Sequence, residues 1–125
     1  MNTRAKFKAM YPVLPTRDVT RAIEYYTEQL GFVLVLQDTE QNPRYAGVRR
    51  EGVMLHLQWH ASEDFSSVEK LSLRFCVDDV DALFEEYKPQ NVFHDGTALR
   101  DTSWGTREFA FYDGDGNGLF FYRDL

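Results

Sequence analysis

Two segments of the chain share one order of hydrophobic and polar positions. The segment "RDVTRAIEYY", which starts at Arg17, aligns without a gap to "DDVDALFEEY", which starts at Asp78. After an aspartate, Asp18 or Asp79, apolar residues recur in each segment at the three- and four-residue spacing of an amphipathic helix. An aspartate at this place can accept hydrogen bonds from the free N–H groups of a first turn. The pattern therefore predicts two helices, each capped by its aspartate.

Strand-like patterns precede and follow each predicted helix. "LSLRFCV" shows the alternation best, because its apolar residues take every second position and the positions between them are mixed. The segments that read as strands are, in chain order, "KAMYPVL", "FVLVLQ", "RYAGVRR", "VMLHLQW", "LSLRFCV", "NVFH", "TREFAFYD" and "GLFFYR".

This order of elements is one βαβββ unit followed by a second, which predicts an α+β fold. A chain of 125 residues is expected to form a single domain. The two modules would span about 6–60 and 70–125, joined by the polar linker "HASEDFSSVEK". If each helix covers one face of its sheet, the other faces line a shared concave cleft in a curved mixed sheet. The residues expected to point into that cleft are Tyr11, His56, Gln58, Ser72, Arg74, Phe120 and Tyr122.

Composition and charge limit the classes of partner. The chain is 43% hydrophobic and carries a net charge of -6, which is typical of a folded domain rather than of a disordered chain. An acidic chain without Lys and Arg clusters is not expected to bind nucleic acid, and it favours a cationic ligand. The first residues lack the apolar core of a signal peptide, and no window is apolar enough to span a bilayer. We therefore predict a cytoplasmic protein with no membrane partner.

The chain contains a single cysteine, Cys76, so it can form no intrachain disulfide. This fits a reducing compartment. No motif supplies the thiol with a base, and we therefore expect Cys76 to be a small buried or half-buried side chain rather than a nucleophile.

Two long segments of the sequence resemble a known family. "YPVLPTRDVTRAIEYYTEQLGF" and "WGTREFAFYDGDGNGLFFY" are similar to the bleomycin resistance branch of the vicinal oxygen chelate superfamily, also called the glyoxalase/bleomycin resistance/dioxygenase superfamily. The resemblance covers nearly the whole chain. One departure is Gly114, where the family usually has proline. The resemblance implies a homodimer with the two-module fold and a ligand groove between subunits.

The resemblance also implies where a metal would be bound. Enzymes of the superfamily hold a divalent metal with four inward positions occupied by His, Glu or Gln. Only His56 among the matching positions is a competent ligand, and divalent metals in proteins are held by about two or three donors or more. The sequence therefore predicts no metal, no cofactor and no catalytic residue. The matching positions are Tyr11, His56, Ser72 and Phe120.

Trp104 and Gly105 match a Trp-Gly pair that lies at the ligand groove of bleomycin-binding resistance proteins, where aromatic rings stack on the flat part of the drug. Each assignment has a structural alternative: Trp104 as a cover for the end of the core, His56 as a strand residue hydrogen-bonded to a neighbour, and Arg74 in a salt bridge to Glu108 or to the other subunit. Phe32 and Leu36 are weaker candidates for the groove. The ligand-binding residues expected from the resemblance and from the inward pattern are Tyr11, Tyr45, His56, Trp59, Arg74, Trp104, Gly105 and Tyr122.

The function predicted from the sequence is non-catalytic binding. The homodimer would sequester a bleomycin-type glycopeptide or another flat cationic compound. Two alternatives stay open. One is a metal-dependent lyase or dioxygenase with a displaced site around His56, His60 and a carboxylate. The other is a protein that binds an unrelated metabolite, because a fold does not define a ligand.

Overall fold

A computed structural model describes residues 3–125, which form two modules with one mixed four-stranded sheet each. The elements of the first module are β1 (Val13–Thr16), α1 (Val19–Glu24), β2 (Val33–Gln37), β3 (Tyr45–Arg50) and β4 (Val53–Trp59). The elements of the second module are β5 (Ser72–Cys76), α2 (Val80–Tyr87), β6 (Arg100–Asp101), β7 (Thr106–Tyr112) and β8 (Gly118–Asp124).

The two sheets have the same topology. Their strand orders are β1-β4-β3-β2 and β5-β8-β7-β6. In each sheet the first strand runs parallel to the last, and the other pairs are antiparallel. The registers also match, because Val13 pairs with His56 and Arg74 pairs with Phe120 at equivalent places in the two modules. The predicted repeat and the α+β fold are confirmed.

Both predicted helix caps are present. A carboxylate oxygen of Asp18 accepts a hydrogen bond from the backbone N–H of Arg21 at 3.1 Å, and Asp79 accepts one from Ala82 at 2.9 Å. The first helix is shorter than its periodicity predicts. After α1 the chain continues as a wide π-type turn over Tyr25–Gln29.

Two predicted strands differ from the structure. The segment "NVFH" forms no strand, because Val92 and Phe93 pack on the hydrophobic core instead of pairing along an edge. The edge position is taken by the two-residue strand β6. The strand predicted over "KAMYPVL" begins only at Val13, and residues 3–12 form no helix or strand.

One hydrophobic core joins the two modules. It combines the helix-covered faces of both sheets, including Leu14 and Leu57 from the first and Phe109, Phe111 and Phe121 from the second. These faces are the most apolar ones, and burying them against each other removes the most apolar surface from water. The uncovered faces lie on the other side of each sheet. None of the three cavities of about 240–360 Å³ described within residues 3–125 is lined by both faces, so one chain by itself does not bring them together.

Polar contacts fix the seam between the modules. The Tyr26 hydroxyl donates to the buried Asp113 carboxylate at 2.7 Å, and the Tyr87 hydroxyl donates to the Leu30 carbonyl at 2.8 Å. Burial raises the pKa of Asp113, although the hydrogen bond from Tyr26 opposes that shift.

No helix within residues 3–125 has the length and apolar character needed to cross a bilayer.

Candidate ligand-binding faces

The uncovered face of the first sheet, called the first open face below, carries an aromatic cluster around His56. The Tyr45 hydroxyl lies 2.6 Å from Nδ1 of His56, and the two rings meet edge to face at 5.2 Å. The Tyr11 ring stacks on the imidazole at 5.1 Å with an interplanar angle of 27°. Strand alternation adds Val13, Gly47 and Gln58 to the same face. The structure thus brings together three residues of the predicted ligand site.

His56 has a second ring nitrogen that lacks a partner. Nε2 is buried and forms no hydrogen bond within residues 3–125. A buried polar atom without a partner costs about 1–3 kcal/mol. The structural alternative for His56 was a hydrogen bond to a neighbouring residue. That bond is present, between Nδ1 of His56 and the Tyr45 hydroxyl. Nε2 is enclosed within the single chain, and ligand contact by His56 stays a prediction.

The uncovered face of the second sheet, the second open face, contains an ion pair. Nη2 of Arg74 donates to the Glu108 carboxylate at 2.9 Å, and the guanidinium lies 4.5 Å from the centre of the Tyr122 ring. The salt bridge proposed as the alternative for Arg74 is therefore confirmed. The Arg74 side chain is 43% exposed, so its outer N–H groups can still meet a ligand. By register this face contains Ser72, Arg74, Cys76, Glu108, Phe120 and Tyr122.

Glu108 is a buried charged residue of the second open face. Only 3% of its side chain is exposed. Burial by itself raises the pKa of Glu108, but hydrogen bonds from Arg74 and Thr106 outweigh burial and leave the pKa below its ordinary value. The carboxylate is therefore ionised at neutral pH and holds Arg74 in place over Tyr122.

Trp104 and Gly105 form the turn between β6 and β7. Gly105 has a φ of 91°, a conformation in which a side chain would be strained. Beside it the hydroxyls of Thr102 and Thr106 are 2.8 Å apart. Trp104 is 61% exposed and makes no ring contact within residues 3–125, so it does not cover the end of the core. Its ligand role stays a prediction.

Trp59 is separated from the aromatic cluster. It lies opposite Thr16 on the core side of β4, whereas His56 and Gln58 lie on the open side. Its ring is covered by the Arg44 guanidinium at 4.4 Å. The structure does not bring Trp59 to the other predicted ligand residues, because neighbouring strand residues point to opposite faces.

Two other residues differ from their expected surroundings. Cys76 is exposed, which corrects the expectation of a buried or half-buried filler. It pairs with Tyr122 and alternates with Phe75, so it belongs to the second open face rather than to the core. Phe32, a weak groove candidate, is buried in the core. Leu36 is 40% exposed beside Gly47 on the first open face.

The donors at the superfamily's metal positions do not suit a divalent ion. Phe120 offers no donor atom, Tyr11 and Ser72 offer only hydroxyls, and His56 is the single good ligand. Within residues 3–125 no cluster of three or more His, Cys, Asp or Glu side chains is arranged to bind a metal. The alternative site around His56, His60 and a carboxylate is not assembled either.

We expect protein purified without chelator to contain far less than one zinc, iron or nickel ion per chain. One imidazole and two hydroxyls bind such ions too weakly to retain them. Elemental analysis by mass spectrometry measures the ratio. A ratio near one that survives dialysis would contradict this prediction, and loss of the metal in His56→Ala would then locate the site.

Comparisons with known proteins give one consistent result. The family model of the glyoxalase/bleomycin resistance protein/dioxygenase superfamily matches residues 9–121. A bleomycin resistance protein of Geobacillus stearothermophilus is 29% identical to the chain over 130 residues, covering 91% of this chain and 95% of the relative.

Solved structures agree with the sequence relatives. The bleomycin-binding protein of Streptomyces verticillus, solved with copper(II)-bleomycin, is 32% identical with a TM-score of 0.73, covering 94% of this chain and 97% of its own. The bleomycin resistance determinant encoded on transposon Tn5 has a TM-score of 0.78 at 23% identity, covering 94% and 98% of the two chains. Together with the two βαβββ modules, these matches show that the chain belongs to the glyoxalase/bleomycin resistance protein/dioxygenase superfamily.

Proposed function

We propose that the chain binds a flat cationic compound of the bleomycin type in the cytoplasm and releases it chemically unchanged. The observation that carries this proposal is the set of aromatic rings on uncovered surfaces. Tyr11 and Tyr45 lie on the first open face, Tyr122 lies on the second, and Trp104 projects from an adjoining turn. Such rings can stack on planar heteroaromatic or cationic groups.

The relatives support the same ligand class. Bleomycin resistance proteins match over most of the chain, and one similar structure holds copper(II)-bleomycin. The net charge of -6 would also favour the approach of a cation, within the limits of salt screening. Sequestration protects by mass action, because each bound molecule is removed from the free pool.

The enzymatic alternative has less support. A lyase or dioxygenase of this superfamily would need several metal donors, and the positions that would supply them include Phe120 and Ser72. An unrelated metabolite as the ligand is favoured by no particular side chain. Direct binding measurements distinguish an unrelated metabolite from a bleomycin-type compound as the ligand.

The exposed surfaces support binding by a homodimer. Four consecutive residues of β2, Val33 to Leu36, are each at least 40% exposed. The outer edges of β1, β2, β5 and β6 are unpaired within the described chain. Apolar patches and open strand edges of this kind are usually covered by a partner in oligomers. A dimer would also allow an open face of one copy to meet an open face of another, which one chain does not achieve.

We expect light scattering at micromolar concentration to give twice the 14.6 kDa mass of the chain. The measurement should be repeated at high salt, because an interface of apolar side chains is not weakened by screening. The mass of one chain at every concentration tested would rule out the dimer and any groove between subunits.

The proposed function is tested by titration calorimetry with metal-free bleomycin and with its copper(II) complex. We expect saturable binding, and we expect the compound recovered after denaturation to be unchanged by chromatography and mass spectrometry. A chemically altered product would indicate an enzyme. Absence of saturable binding, together with a thermal shift produced by another metabolite, would assign the protein to a different ligand.

A further inference from the structure

The second open face carries two guanidinium groups. Besides Arg74 it contains Arg100, which lies directly opposite Glu108 in the β6–β7 register. Arg74 reaches the same carboxylate from the other side, across the Tyr122 ring. The other carboxylate that the register places on this face belongs to Asp124, at the end of β8. Two arginines therefore flank one buried carboxylate, and this part of the face has a surplus of positive charge.

Most N–H groups of these two arginines have no partner. A guanidinium offers five N–H donors. Arg74 uses one of them, in the 2.9 Å bond to Glu108. Arg100 is exposed, and no side-chain hydrogen bond or salt bridge within residues 3–125 involves it. Carboxylate and carbonyl oxygens are the groups that such donors bind, and arginine holds a carboxylate with two parallel bonds. The arginine pair is therefore suited to an oxygen acceptor of a ligand and not to a cation.

An apolar cavity of about 240 Å³ adjoins the arginine pair on the same face. Ala110 lies two residues from Glu108 along β7, and Phe120 pairs with both Ala110 and Arg74. Two residues along a strand correspond to about 7 Å. Since a cavity of about 150 Å³ holds benzene, this one can accept a flat ring system. The residues that line it are His94, Gly96, Thr97, Ala110, Phe111, Tyr112, Gly118 and Phe120.

The outer wall of this cavity is a loop that hydrogen bonds hold against β7. The Thr97 hydroxyl donates to the Ala110 carbonyl at 3.0 Å and accepts from the backbone N–H of His94 at 3.0 Å. The Tyr112 N–H donates to Nε2 of His94, also at 3.0 Å. These bonds lie along the part of β7 that extends beyond its pairing with β6. The cavity is therefore formed by the chain before any ligand binds.

We propose that the second open face binds a planar ring that bears an oxygen acceptor, either a carboxylate or a carboxamide. The ring would lie in the apolar cavity, and the oxygen atoms would lie between Arg74 and Arg100. This inference rests on the proposed role of the open faces in ligand binding and adds a chemical group that the ligand carries. The net charge of -6 does not attract an anion, so a preference for one reports the local arginine pair.

Three fragments with one ring system test this subsite: naphthoate, naphthamide and naphthylmethylammonium. Each is titrated into the isotope-labelled chain and followed by NMR through the amide signals of Gly96 and Gly118 and the Nε–H signals of Arg74 and Arg100. We expect naphthoate to bind about tenfold more tightly than the ammonium, because charge-assisted hydrogen bonds to arginine replace repulsion. Naphthamide that binds as tightly as naphthoate would assign the acceptor as a carboxamide, and weaker binding of naphthamide would assign it as a carboxylate.

Arginine variants locate the bound oxygen atoms. We expect Arg100→Met to weaken naphthoate binding about tenfold. Its melting temperature should not change, since Arg100 is exposed and has no partner to lose within residues 3–125. The matched control is Arg123→Met, which removes the same charge from the opposite face of the sheet, where Arg123 pairs with Arg107. Ala110→Leu fills the cavity without a change of charge and should weaken both acceptor fragments.

The results separate this inference from the proposed function. Tighter binding of naphthylmethylammonium than of naphthoate would overturn the acceptor subsite, and so would equal naphthoate affinities of Arg100→Met and Arg123→Met. No saturable binding of any fragment would overturn it as well. In each of these cases, saturable binding of bleomycin by calorimetry would leave the proposed function intact. Naphthoate binding without bleomycin binding would support the subsite and overturn a bleomycin-type compound as the ligand.

Discussion

Replacing Phe111 with alanine is expected to lower the free energy of unfolding by about 3–5 kcal/mol, which corresponds to a fall in melting temperature of roughly 10–20 °C. Only 3% of Phe111 is exposed. Its ring lies 5.9 Å from that of Tyr87 and 5.5 Å from that of Phe121, in the core shared by both modules. Truncation would leave a cavity that the surrounding core residues can close only in part.

Thermal and urea denaturation of the unsubstituted chain and of the Phe111→Ala variant measure this loss of stability. If the alanine variant does not fold, Phe111→Leu provides the milder test, with an expected loss of about 1–2 kcal/mol. The control is Glu85→Ala, since Glu85 is exposed on α2 and its truncation should change stability by less than about 0.5 kcal/mol. Similar losses for Glu85→Ala and Phe111→Leu would contradict the shared core described here.

Replacing Trp104 with alanine is expected to weaken binding of a bleomycin-type glycopeptide by up to about thirtyfold while leaving stability nearly unchanged. Stacking on an aromatic ring contributes roughly 0.5–2 kcal/mol. The Trp104 side chain has no ring contact to lose within residues 3–125, and its turn is held by the backbone of Gly105 and the Thr102–Thr106 pair. Calorimetry and melting curves on the same samples measure both quantities.

The structure offers a matched tryptophan as the control. Trp59 lies on the core side of β4 under Arg44, so Trp59→Ala should affect stability more than binding. Tyr45→Ala should weaken binding as Trp104→Ala does, although it also removes the bond to His56. A loss of stability in Trp104→Ala as large as that in Phe111→Ala would contradict the surface role of Trp104. Unchanged affinity would remove Trp104 from the binding site.

Local patterns in the sequence determined most of the secondary structure. Helix caps depend on one aspartate and the N–H groups of the next turn, and strand faces depend on a period of two, so Asp18, Asp79 and the alternation in β5 could be identified without tertiary information. The internal repeat then predicted two similar modules, which the matching strand registers confirm. The same local rules failed for "NVFH". Val92 and Phe93 are apolar because they pack in the hydrophobic core, not because they form one face of a strand.

The arrangement of the faces was decided only by tertiary structure. Alternation shows that His56 and Arg74 each lie on an uncovered face, but it contains no information about whether two sheets turn those faces toward each other. The helix-covered faces meet in one core instead, because that arrangement buries the larger apolar area. Other features likewise depend on distant residues that meet only in the folded chain. They include the buried Nε2 of His56 and the Arg74–Glu108 pair.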